Sequence, residues 1–149
     1  MICQSMTKEQ ADLPNRMTFS ITQETYSARC LCGRIELHAQ GDGQNVTLCH
    51  CDWCKRSSGA AFVPWVTFAK EDFVVTKGAL KLFSSGAISE RGFCPDCGAT
   101  LTFHFPKTVD IALGAFDDPE AFRAKKHIWT SQQLPQIEFI DGLPRSEHE

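Results

Sequence analysis

Long apolar runs are missing from this chain, and none approaches the ~20 residues that a membrane span needs. An excess of one charge is missing too: 15 Lys+Arg stand against 18 Asp+Glu, a formal net charge of −3. Strong backbone binding to nucleic acid needs clustered cations, so a nucleic-acid partner is not expected. There are no internal repeats, coiled-coil heptads or low-complexity tracts, which sets aside solenoids and long helical rods. An apolar signal-peptide core is also lacking, because Met1 to Thr25 carries Lys8, Glu9, Asp12 and Glu24 among amides and hydroxyls. That stretch reads as a flexible arm over residues 1–25, with residues 26–149 forming one domain of adequate core size. Cys3 in the arm is expected to be a free thiol.

Cysteine is what the chain does have. Seven of its eight cysteines fall into three tight clusters: Cys30-Leu-Cys32-Gly33, Cys49-His-Cys51-Asp-Trp-Cys54 and Cys94-Pro-Asp-Cys97-Gly98. Eight in 149 residues is below the roughly 8–10% that marks a disulfide scaffold. Spacings of one or two residues suit a metal better than a bridge between distant strands. Unbridged thiols place the chain in a reducing compartment, and the expected location is cytoplasmic.

Tetrahedral zinc takes thiolates at about 2.3 Å, four in a closed structural site and three where a position stays open. Cys94-Pro-Asp-Cys97-Gly98 is a zinc-knuckle sequence and Cys30-Leu-Cys32-Gly33 a tighter relative of it. Each supplies two ligands and ends in glycine, so they pair as a Cys₄ structural site. Cys49, Cys51 and Cys54 are then the ligands of a second, open zinc. His50 is either a fourth ligand, a partner that orients a ligand, or an ordinary surface histidine. Closure by His50, or by a cysteine of another cluster, would make the second site structural as well. An open Cys₃ centre is a weak Lewis acid toward water. It is better suited to holding an incoming thiol as thiolate, which could attack an aldehyde carbon or, in reverse, leave it.

From Tyr26 the chain reads as short strands broken by glycine, a mainly β architecture of small antiparallel sheets. Ile35, Leu37 and Ala39 alternate with polar residues, the pattern of a half-buried strand ending at Gly41-Asp42-Gly43. Residues 60–69 are a longer β-rich run in which Pro64 predicts an edge or bulge. Residues 73–76, 80–83, 99–105 and 109–114 continue the pattern. Asp118-Pro119-Glu120 predicts one capped helical turn, which accounts for Asp117 and Asp118 better than acid–base work does. Trp53, Phe62, Trp65, Phe93, Phe103 and Phe105 flank the clusters and are expected mainly in the core.

The segments CLCG, CHCDWCKRSSGAAFVPWVTF, RGFCPDCGATL, GAFDDP and HIW, in this order between Ser27 and Pro144, resemble the glutathione-dependent formaldehyde-activating enzymes, the centromere-protein-V-like family. The resemblance implies a β-tent-like fold with two zinc ions. Cys30, Cys32, Cys94 and Cys97 match the structural ligands, and Cys49, Cys51 and Cys54 match the catalytic-type ones. It further implies a carbon–sulfur lyase that joins glutathione and formaldehyde into S-hydroxymethylglutathione. The other reading is a non-catalytic zinc-stabilised binding module. Relatives often carry a tryptophan in a PW pair after HIW, where this chain has Leu134-Pro135-Gln136-Ile137. No glutathione signature is visible, and Lys55, Arg56, Arg91 and Lys107 are candidate partners for its carboxylates only through proximity to the clusters.

Overall fold

A computed structural model describes residues 24–149. Cys3 and the arm lie outside the described residues, save for Glu24 and Thr25, and Thr25 already opens the first strand. Strands β1 (Thr25–Arg29), β2 (Glu36–Gln40) and β5 (Phe73–Lys77) form a three-stranded antiparallel sheet in the order β1-β2-β5. The larger sheet has seven strands: β3 (Gln44–Cys49), β4 (Val63–Ala69), β6 (Lys81–Ser84), β7 (Glu90–Phe93), β8 (Thr100–His104), β9 (Thr108–Ala112) and β10 (Lys126–Ile128). Their order is β10-β3-β4-β9-β8-β7-β6, antiparallel throughout except where β10 runs parallel to β3. The mainly β expectation holds.

The core lies where the sheets face each other. Ala28, Leu37 and Ala39 of the small sheet pack with Val66, Phe68, Val109 and Ile111 of the large one, closed by Phe116 and Phe122. Tyr26 and Phe116 each bring a ring centroid to 4.6 Å from that of Phe122, close enough for favourable edge-on or offset aromatic contact. Because side chains alternate across a strand, burying Val66 and Phe68 sends Trp65 and Thr67 to the opposite face. Register extends that face across the sheet. Thr67 pairs with Asp110, Asp110 with Phe103, Phe103 with Arg91 and Arg91 with Phe83, a single row over five strands.

Two local expectations need correction. Of the two alternatives for the run holding Pro64 the edge fails, because β4 lies between β3 and β9, whereas β3 and β4 do shift register between Gln44 and Thr47. Pro64 pairs with Leu48 of β3, while β9 pairing starts only at Trp65, opposite Ala112. Pro64 therefore meets a strand on one side only, which is how the sheet tolerates a residue without an N–H. The turn at Pro119–Ala121 is 3₁₀, and the Asp118 side chain does not cap it. Asp117 instead pairs with Arg29 at 2.8 Å. The α-helix α1 (Asp52–Ser58) follows the second cysteine cluster. Nothing in the apolar periodicity announced it, because seven residues are too few to show a helical repeat. Among the described residues no helix is long and apolar enough to cross a membrane.

Candidate metal centres and the adjoining cavity

The two knuckles are built alike. Cys30 N–H donates to the Ile35 carbonyl and Gly33 N–H to the Cys30 carbonyl, both at 3.1 Å. Cys94 and Gly98 repeat the pattern with Ala99 and Cys94 at 3.0 and 2.9 Å. Each turn requires a left-handed residue, supplied by Gly33 at φ 72° and Gly98 at φ 73°. The turns bring the Sγ atoms of Cys30, Cys32, Cys94 and Cys97 within 4.8 Å of one another. Cys30 to Cys32 is 3.5 Å and Cys32 to Cys94 is 3.8 Å. Tetrahedral thiolates at zinc stand about 3.8 Å apart, by geometry from the ~2.3 Å bond, so the donor set fits zinc as it stands.

The second cluster forms where β3 runs into α1. Cys49 ends the strand, Cys51 is the N-cap of α1, and Cys54 lies in the first turn. Their three sulfurs lie within 4.8 Å of one another, and among the described residues no fourth Cys, His, Asp or Glu joins them. Three thiols this close cannot all ionise unaided. S–H donation from Cys49 and Cys54 holds Cys51 down to about 2, while Cys49 is pushed far above the usual thiol range by its bonds to Cys51 and Cys54. A divalent cation would let all three ionise, so this donor set also fits zinc.

Cys54 is held from two sides. The Trp65 indole N–H donates to its Sγ at 3.4 Å, and Arg91 reaches it from both terminal nitrogens at 3.7 and 3.8 Å. Arg91 is only 7% exposed and stacks on Phe103, 4.0 Å from the ring centroid. Of the four candidate cations, Arg91 alone reaches the cluster. Lys55 pairs with Asp52 at 2.8 Å, whereas Arg56 and Lys107 are exposed.

His50 is not a ligand. It is 1% exposed and turned from the sulfurs, with Nε2 at 2.9 Å from Nδ1 of His127, whose Nε2 lies 3.0 Å from Asp141. Burial, reinforced by His127, Arg145 and Lys55, pushes His50 down to about 4, so it is neutral at pH 7. Its backbone N–H donates to Ile128 at 3.0 Å. The chain His50–His127–Asp141 thus fixes the cysteine-bearing segment from behind. Alternation around Cys49 and Cys51 anticipated the direction of His50; no signal pointed to Asp141.

The three thiols open onto a cavity of about 770 Å³ on the face opposite the core. Trp65, Phe103, Phe105 and Trp129 form its apolar wall, with the 60%-exposed Trp53 at its margin. The aromatics flanking the clusters are therefore divided, since Trp65, Phe103 and Phe105 line the cavity as well as packing. Asp110 also lines it. Burial raises this carboxyl to about 6, against the partial relief of the Thr67 hydroxyl, which donates to it at 2.7 Å.

The folded state therefore holds the Asp110 proton more tightly than the unfolded chain does. Its contribution to stability is complete below the ordinary pKa of 3.8 and is lost as pH rises through about 6. Ionising it in the fold costs on the order of 3 kcal/mol, since each tenfold change in proton affinity is worth ~1.4 kcal/mol. Its cross-strand neighbours Thr67 and Phe103 do not titrate, so the effect belongs to this group. Asp110→Asn should thus stabilise the chain at pH 8 but not at pH 3.5. Melting-temperature differences that are equal at the two pH values would contradict this placement.

Residues 25–132 match the family model described as glutathione-dependent formaldehyde-activating enzyme. The chain belongs to that family. The match takes in both thiol clusters, Arg91 and Asp110. A Schizosaccharomyces pombe protein named as an uncharacterized lyase is 30% identical over 80 residues, 54% of this chain and 58% of the relative. The aligned part thus spans little more than half of that relative's length. A crystal structure of a Rhodobacter sphaeroides protein superposes with a TM-score of 0.53 at 20% identity, covering 80% of this chain and 98% of the other. That likeness concerns the fold alone.

Proposed function

We propose that this chain is a zinc-dependent carbon–sulfur lyase of the S-hydroxymethylglutathione type, joining or separating a glutathione-class thiol and a small aldehyde such as formaldehyde. In this reading Cys30, Cys32, Cys94 and Cys97 hold a structural zinc, and Cys49, Cys51 and Cys54 hold the second. The observation that carries it is the three-thiol cluster with no fourth protein donor among the described residues, opening onto a cavity large enough for a small peptide. Family membership and the lyase name of the yeast relative point the same way.

Zinc held by Cys49, Cys51 and Cys54 would supply a cation able to keep an incoming thiol ionised at neutral pH. The reaction itself is simple. A sulfur lone pair forms the C–S bond, the carbonyl π pair moves to oxygen, and oxygen takes up the proton the thiol gave up. The protein's groups arrange the charge and the surroundings. Arg91 and the Trp65 N–H, both donating to Cys54 Sγ, draw negative charge from that ligand and offset the surplus of a tris-thiolate site. Trp65, Phe103, Phe105 and Trp129 give the cavity an apolar flank beside the thiols.

The binding-module alternative calls for a coordinatively closed second cluster, and its candidate fourth ligand, His50, is engaged with His127 instead. Formaldehyde adds to thiols without a catalyst, so the decisive assay is exchange at equilibrium, followed by NMR line broadening of S-hydroxymethylglutathione. The zinc-loaded chain should accelerate exchange, and Cys54→Ala should return it to the uncatalysed rate. Equal exchange with and without the protein would refute the lyase reading.

A further inference from the structure

We propose that Asp110 recognises a positively charged amine on the thiol substrate, so that the cavity selects a peptide thiol with a free ammonium group distant from its sulfur. The inference rests on the reading that the Cys49, Cys51 and Cys54 cluster accepts an external thiol, and it adds the residue that reads the amine of that thiol.

Asp110 is a carboxylate in a cavity lined by both aromatic and hydroxyl side chains, and it has no cation of its own; the cavity's other carboxylate, Glu149, is paired with Lys126. Its hydrogen-bond partner is the Thr67 hydroxyl at 2.7 Å, and among the described residues it makes no ion pair. Arg91 lines the same cavity, but its guanidinium is committed to the thiol end, at Cys54 Sγ, over the Phe103 ring and 3.3 Å from the Ser57 hydroxyl. A half-buried carboxylate without a counter-ion costs free energy, in accord with the rise of its acid to about 6. An arriving ammonium would offset that cost.

The register sets the spacing. Trp65 marks the thiol end through its contact with Cys54, and Thr67, which partners Asp110, is two residues further along the same face of β4. Two residues of strand advance about 7 Å. Sulfur and amine must therefore be separated by several bonds. A two-carbon aminothiol is too short, whereas the γ-glutamyl arm of glutathione has the necessary reach.

Calorimetric titration of the zinc-loaded chain separates the two readings. The probes are glutathione and glutaryl-cysteinyl-glycine, which is the same molecule with hydrogen in place of the amine. Wild type should bind the amine-free analogue at least tenfold more weakly. Asp110→Asn should weaken glutathione by the same factor and leave the analogue unchanged. Equal binding of both thiols to wild type, or a preference that survives in Asp110→Asn, overturns the inference while leaving the thiol site standing. Failure of both thiols to bind wild type overturns the thiol-accepting cluster, and the inference falls with it.

Discussion

Cys97→Ser is expected to give an insoluble or unfolded chain. The Cys₄ cluster ties the turn after β1 to the turn after β7, and Cys32 and Cys94 are 62 positions apart. Two of its members, Cys30 and Cys94, are themselves part of the core between the sheets. Structural zinc in small domains contributes on the order of 10–16 kcal/mol of apparent binding free energy, against a net stability of about 5–15 kcal/mol for a typical domain. Serine at position 97 keeps the knuckle's shape but replaces a thiolate with a hydroxyl that rarely ligates zinc. The nearby Arg34–Asp96 pair at 2.9 Å is exposed and cannot compensate, since surface pairs contribute about 0–1 kcal/mol. A soluble Cys97→Ser chain with an unchanged melting temperature would show that this cluster does not hold the fold together.

Cys51→Ser should behave in the opposite way, keeping the fold while metal content falls from two per chain to one. Cys51 is the N-cap of α1, its Sγ accepting the Cys54 N–H at 3.3 Å. Serine is among the best N-caps, so the helix start survives and only the ligand is lost. The segment stays anchored by the bond of His50 to His127 and by its N–H to Ile128. Elemental analysis after gel filtration, read with the melting temperature, tests the division of labour. Loss of both metals, or of neither, contradicts it.

The cysteine spacing made both thiol clusters legible, because each knuckle is a local turn whose residues announce its geometry. Strand periodicity likewise gave most of the β elements, including the inward face of Leu37 and Ala39. Arg91 and Asp110 were not legible in their roles. Within β9 a lone Asp between Val109 and Ile111 reads as an ordinary solvent-facing position. Only the register of β9 with β4 and β8 turns that face into a cavity wall. Arg91 comes to Cys54 across 37 positions of sequence, a distance no local pattern encodes. The same holds for Asp141, brought beside His127 by an irregular tail that docks along β10, with Pro144 and Ser146 bonded to the His127 backbone. Pro64 misled for a related reason: an interior strand can still have one unpaired end.

If the lyase reading is right, the Cys49, Cys51 and Cys54 cluster holds a metal with room for one external thiol. Cobalt(II) substitution tests this most directly, since each added thiolate intensifies the sulfur-to-metal absorption and a closed site cannot accept another. With cobalt in the second site and zinc in the first, millimolar glutathione should raise that absorption and release a proton, and S-methylglutathione should do neither. An unchanged spectrum on adding glutathione, with the cobalt verified in place, would contradict the account.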